Sequence, residues 1–245
     1  MRTAQIETLC ASTFAGGPTW LERHFATRMR NNPRFAMFVA THQDKIRKKL
    51  RGQRDEPGQC DVAFELIVAH RLLTGHSCAL AYEMYAAGKT RGPDFTATYK
   101  GHLAVNVEVR RLRGMVTPAR LGDALVAKLR QLPTGMPNVV VFGADGARST
   151  LPEPGAGAVG LRVRAEAHDS AFFARHGFAD ASAFFRAFLR LSAVALLAPW
   201  DEGASGANSG AEGVAEPAPE AALWLNPQAK HPLPGAVRSA LRTLY

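Results

Sequence analysis

An α/β fold is predicted from three observations. An almost wholly apolar helix candidate, Asp61 to Leu73, precedes three strand candidates; a helix start stands at Thr117-Pro118; and Asn138 to Phe142 is an unbroken apolar run. The resulting order of helix, three strands, helix, strand is that of a strand meander that continues through a helical crossover.

Each element follows from its local pattern. Residues 1–55 read as helical, with Trp20, Leu21, Phe25 and Met29 on one face, a break at Pro33, and Phe35, Phe38, Val39, Ile46 and Leu50 resuming the stripe. In Asp61 to Leu73, apolar side chains point all round, which predicts a helix packed on several sides. Gly75 ends it. Cys78 to Tyr85 reads as a short strand, Gly88 to Gly92 as a turn, and Pro93 to Lys100 as a second strand. Leu103 to Leu112 alternates cleanly: Leu103, Val105, Val107 and Val109 point one way, Asn106, Glu108 and Arg110 the other. The short connection at Gly101 predicts a hairpin. Thr117 supplies a capping hydroxyl and Pro118 a first helical residue without a needed N–H. Asn138 to Phe142 has the composition of a strand covered on both faces.

Beyond the core, Gly143 to Ala158 is rich in Gly and Pro. The phenylalanines between 172 and 188 predict helix over 169–198. Residues 201–221 carry no apolar pattern and are expected to be disordered. Leu223-Trp224-Leu225 and a helix from Gly235 to Tyr245 form a closing segment. The expected organisation is a helical segment at 1–55, the α/β core at 56–148, a helical extension at 149–200, a linker at 201–221 and the closing segment at 222–245.

The chain has 245 residues and a net charge of +9, which favours polyanionic partners, DNA among them. Lys45, Lys48 and Lys49 fall in one basic cluster and Arg110, Arg111 and Arg113 in another; either also suits a solvated helix or strand end. No apolar run reaches the roughly 18–20 residues that a membrane span needs. The N-terminus lacks the layout of a signal peptide. The expectation is a cytoplasmic protein with no membrane contact. Three widely spaced cysteines argue against a disulfide scaffold or a cysteine-based zinc site.

Three carboxylates sit where a structural residue needs no charge. Glu108 lies mid-strand, Asp94 opens the preceding strand after Gly92-Pro93, and Glu65 interrupts an apolar helix. Hard divalent cations bind to such oxygen sets together with waters and substrate phosphates, and so placed they activate water and neutralise phosphate charge.

Pro93-Asp94 followed by Glu108-Val109-Arg110 resembles the PD-(D/E)XK motif of the restriction-endonuclease-like nucleases, over about residues 57–145. The resemblance implies a three-layer core of helix, three-strand meander, helix and strand, with added terminal helices. It implies a nuclease, a hydrolase of phosphodiester bonds in DNA. Asp94, Glu108, the Val109 carbonyl and the helical Glu65 would hold Mg²⁺ or Mn²⁺, with Asp94, Glu108 and Arg110 at the chemistry. Lys45, Lys48, Lys49, Arg111 and Arg113 would bind the nucleic-acid backbone. Arg110 departs from the lysine that the family carries; arginine keeps its proton and cannot be a general base. Lys128, on the apolar stripe of the following helix, is one source of the missing ammonium. Other readings stay open: Glu108 and Arg110 as a cross-strand ion pair, Asp94 as a turn residue, Glu65 paired with an N-terminal arginine, Lys128 reaching solvent. The alternative function is the same fold without catalysis, binding nucleic acid or a protein partner.

Overall fold

The computed structural model describes residues 1–75, 77–85, 92–144, 151–197 and 222–241. Most of the turn expected at Gly88 to Gly92, part of the Gly/Pro-rich stretch after Gly143, and the linker 201–221 lie outside these residues.

Five helices come first: α1 (Thr3–Thr13), α2 (Thr19–Asn31), α3 (Pro33–Thr41), α4 (Gln43–Gly52) and α5 (Glu56–Thr74). The starts of α3 and α5 are set by local chemistry. Asn32 accepts a hydrogen bond from the Phe35 amide at 3.0 Å and is followed by Pro33; Asp55 does the same for Gly58 at 3.0 Å. Pro33 therefore starts a helix as well as ending one.

The strands are β1 (Cys78–Tyr82), β2 (Phe95–Tyr99), β3 (Leu103–Leu112), β4 (Asn138–Ala144), β5 (Leu191–Leu197) and β6 (Ala222–Leu225). They form one mixed sheet in sequence order. β1, β2 and β3 pair antiparallel; β3–β4 and β4–β5 pair parallel; β5–β6 pair antiparallel. The crossover from β3 to β4 runs through α6 (Pro118–Leu129), where the Thr117 hydroxyl caps the Arg120 amide at 3.2 Å. The meander and the helical crossover expected from the sequence are both present.

Between β4 and β5 lie α7 (Ala156–Glu166), α8 (Ser170–His176) and α9 (Ala181–Phe188). The helix predicted over 169–198 is thus two short helices and then a buried strand. Leu191–Leu197 is buried on both faces, so it lacks the alternation that distinguishes a strand from a buried helix. A parallel place beside β4 decides it. The closing segment pairs with β5 as β6 and ends in α10 (Gly235–Leu241).

Two apolar layers cover the sheet. On one face Val105, Val107 and Val109 of β3 join Phe25, Phe35 and Phe64 from the N-terminal helices, and Val237 and Leu241 of α10. On the other, Val140, Phe142, Val194 and Leu196 meet Leu121, Leu125, Phe172, Phe184 and Phe188 from α6 to α9. Gly122 and Gly157 let α6 and α7 approach closely: a Cβ on Gly157 would stand 2.6 Å from the Gly122 nitrogen.

At the β1 edge, Arg34 donates to the carbonyls of Leu73 (3.3 Å), Gly75 (2.5 Å) and Cys78, and Lys45 donates to that of Tyr82 (3.2 Å). In the row that pairs Thr96, Asn106 and Asn138, next to that of Phe95 and Val107, buried Asn138 joins Asn106 (3.0 Å) to the carbonyls of Pro133, Met136 and Arg190. No described helix is long and apolar enough to cross a membrane.

Candidate functional site

The β-hairpin register brings the acids together. Tyr82 pairs with Phe95, and Phe95 with Val107. One residue further on, Glu83, Asp94 and Glu108 continue that row across three adjacent strands. The Glu83 amide donates to the Asp94 carbonyl at 2.7 Å, where the β1–β2 ladder closes. Asp94 Oδ2 accepts the Val109 amide at 2.8 Å, so its side chain takes over where the β2 backbone turns away.

Glu65 arrives from α5. Its Oε2 accepts from Lys49 Nζ at 2.5 Å and from the Tyr82 hydroxyl at 3.0 Å. Lys49 also reaches Glu83 Oε1 at 2.8 Å, and Lys45 reaches Glu83 Oε2 at 2.8 Å. Glu108 Oε1 accepts from Lys128 of α6. In this pair the side chains are 7% and 16% exposed, so little water screens it.

One oxygen of each of Glu65, Asp94 and Glu108 is therefore held by a donor of the chain. The second oxygen of each has no hydrogen-bond partner among the described residues. Burial raises the pKa of all three. In Glu65, burial and then the Asp94 charge push the carboxyl up to about 7. Burial and Asp94 act in the same order on Glu108. In Asp94, the Val109 hydrogen bond opposes the effect of burial. Burial disfavours the Lys49 ammonium, and Glu65, Tyr82 and Glu83 together more than offset this, so its pKa is raised.

Two clefts meet at these groups. The larger, of about 650 Å³, is lined by Glu65, Val109, Arg110, Arg111, Arg113, Arg120 and Lys128, among others. The smaller, of about 260 Å³, is lined by Asp94, Glu108, Arg110, Lys128 and Gln131. Arg110 and Lys128 border both.

The expected site residues are thus distributed unevenly. Asp94, Glu108, Glu65 and Val109 are brought together. Arg110 is exposed at the clefts and has no hydrogen bond or ion pair among the described residues. Glu108 pairs with Lys128 rather than with Arg110, and Glu65 with Lys49 rather than with an N-terminal arginine. Lys45 and Lys49 turn inward to Glu83 and Glu65, whereas Lys48 is exposed. Arg111 and Arg113 line the larger cleft and pair with Asp61 at 3.4 and 2.7 Å.

Glu83, Tyr82 and Arg120 escaped the sequence reading. Glu83 was accessible in principle, since it lies opposite Asp94 once the β1–β2 register is known. Arg120 carries no such signal.

Among the described residues, no three acids, cysteines or histidines stand close enough to hold a metal ion by themselves. Magnesium commonly takes fewer protein ligands, one or two carboxylates plus waters and phosphates. Asp94 and Glu108, each with an oxygen unclaimed, fit that smaller set.

The chain is thus an α/β protein with a mixed six-stranded sheet and a buried acid–lysine cluster beside an arginine-lined cleft. No family model, curated protein or solved structure matches the chain.

Proposed function

We propose that the chain is a metal-dependent nuclease with a restriction-endonuclease-like core and a PD-(D/E)XK-type site, hydrolysing phosphodiester bonds in DNA. The observation that carries this reading is the set of carboxylates on Glu65, Asp94 and Glu108, each with one anchored and one unclaimed oxygen, beside an arginine-lined cleft. Asp94 and Glu108 would hold Mg²⁺ or Mn²⁺, together with the Val109 carbonyl, while Glu65, outside that smaller set, stays with Lys49 and Tyr82. When bound, such a cation polarises phosphate and lowers the pKa of water.

The chain's own groups supply the rest. Lys128 beside Glu108 provides an ammonium in place of the absent motif lysine. Arg110 keeps its charge and offers a planar fork to a phosphate, so it orients and stabilises without exchanging a proton. Arg111, Arg113 and Arg120 bind the strand's phosphates along the cleft, and exposed Lys48 is a further backbone contact.

The test is Mg²⁺- or Mn²⁺-dependent cleavage of DNA by the full chain, beside Asp94→Ala and Glu108→Ala variants confirmed as folded. Loss of cleavage in both supports the reading; cleavage that survives in both sinks it.

A second reading is favoured by the Lys49–Glu65 and Lys128–Glu108 pairs, which complete the acids' charges without a metal. On it the fold binds nucleic acid and does not cut. Salt-dependent DNA binding that is indifferent to Mg²⁺ and to Asp94→Ala would select this reading.

A further inference from the structure

The loop from β3 to α6 holds an apolar side chain out to solvent and is braced while doing so. Leu112, the last residue of β3, and Val116 are buried in the same apolar layer. Val116 precedes the Thr117 cap and shares that layer with Leu121, the two positions of a hydrophobic staple that fixes how the chain enters a helix. Met115, between these anchors, is 80% exposed. Gly114 turns the chain at a φ of +69°, in the left-handed region that favours glycine. Arg120 Nη1 then donates to the Met115 carbonyl at 3.1 Å. The backbone of the loop is tied at both ends and in the middle, and its one large exposed side chain is apolar.

A lone exposed methionine is ordinary on a protein surface. This one stands between Arg113 and Arg120, both exposed and both lining the larger cleft. A partner that suits the arrangement has negative charge outside and stacked apolar faces within. Duplex DNA has both, whereas a free phosphate or an acidic protein surface offers the charge alone. Methionine, flexible and polarisable, is among the side chains that wedge between base steps and unstack them. Seven residues separate Glu108 from Met115, so their Cα atoms lie at most about 23 Å apart. That is less than one turn of a duplex, roughly 34 Å.

We propose that the cleft takes DNA as a duplex and that Met115 enters it as a wedge, opening a base step within one turn of the acids, while Arg113 and Arg120 hold phosphates on either side. The wedge rests on the nuclease reading, since it needs DNA in the cleft, and adds to it the form of the substrate and the distortion that the protein imposes. The brace from Arg120 matters because an unsupported loop would fold its methionine back on the protein rather than press it into a stack.

The experiment is binding of the full chain to DNA duplexes of about two turns, roughly 20 base pairs, at low salt with Mg²⁺ present. The duplexes carry phosphorothioate linkages that resist cleavage. Each also carries 2-aminopurine at one position, a base whose fluorescence rises when it leaves the stack, and anisotropy reads the affinity. The wild type should produce the rise, Met115→Leu should keep it, and Met115→Ala should lose it while still binding. The dependence of affinity on salt should be the same for Met115→Ala and wild type, because it counts phosphate contacts and none is removed. Exposed Met115 contributes little packing, so both variants are expected to fold. A bound wild-type duplex with no rise at any position, or a rise that Met115→Ala retains, overturns the wedge and leaves the nuclease reading standing. Absence of duplex binding even at low salt overturns the nuclease reading, and the wedge with it.

Discussion

The Asp94 carboxylate accepts the backbone amide of Val109 at 2.8 Å, which ties the first acid of the site to the strand that carries the second. Asp94 is therefore a structural acceptor as well as an acid with an oxygen to spare, and different substitutions should separate the two roles. Asp94→Ala leaves the Val109 amide without its partner and should cost about 1–3 kcal/mol. Asp94→Asn keeps an acceptor and should lose less than half of that in urea denaturation. Calorimetry should show Mg²⁺ binding weakened in both.

Lys128→Met leaves Glu108 buried and unpaired. Stability at neutral pH should fall by about 3–5 kcal/mol. Adding Glu108→Gln should recover most of the loss, because neither member then carries an isolated charge. A double-mutant cycle by denaturant unfolding measures the coupling; additive single effects would show that the pair contributes nothing.

The pH dependence follows from Glu65. Its carboxyl is raised from 4.5 to about 7 in the folded chain by burial and the Asp94 charge. Between those values the native state holds more protons than the unfolded one, so stability falls as pH rises through the window. Asp94 and Glu108, both raised, act with the same sign. Compared with Glu65→Gln, the wild type should lose on the order of 2 kcal/mol between about pH 4.5 and pH 7. Thermal or urea unfolding across that range checks the difference, and parallel curves for the two proteins would count against it.

Gly157→Ala should disturb the site from a distance. The added Cβ would meet backbone atoms of α6, the Gly122 nitrogen at 2.6 Å and the Leu121 carbonyl carbon at 2.9 Å. Backbone cannot yield as a flexible side chain can, so α6 must shift, at a cost of about 1–3 kcal/mol. Because α6 carries Lys128, its contact with Glu108 should loosen too. Urea unfolding reads the first effect, and the pH dependence of stability the second.

How far the sequence revealed all this depends on what each residue's pattern could encode. The bounds of β3 were legible because Val105, Val107 and Val109 alternate with Asn106, Glu108 and Arg110. The start of α6 was legible because Thr117 and Pro118 are each suited to one position there. The β5 strand was not legible, since Leu191 to Leu197 is buried on both faces and only a neighbouring strand distinguishes it from helix. Asp94, Glu108 and Glu65 stood out as charges in apolar surroundings. The inward turn of Lys45 and Lys49 was hidden, because α4 carries Lys45, Arg47, Lys48, Lys49 and Arg51 around its circumference. Which of them meet acids is decided by the packing of Ile46 and Leu50, a tertiary fact.

The Arg34 and Lys45 caps on β1 also bear on how the protein behaves in a crowded solution. An edge strand with open carbonyls is a template on which another chain can add a strand and begin a polymer. Here the outward carbonyls of Cys78 and Tyr82 are already taken by side chains of the same molecule. That margin of the sheet is guarded against self-association, and the guard extends to the margin where the acids are gathered, through a lysine that also holds Glu83.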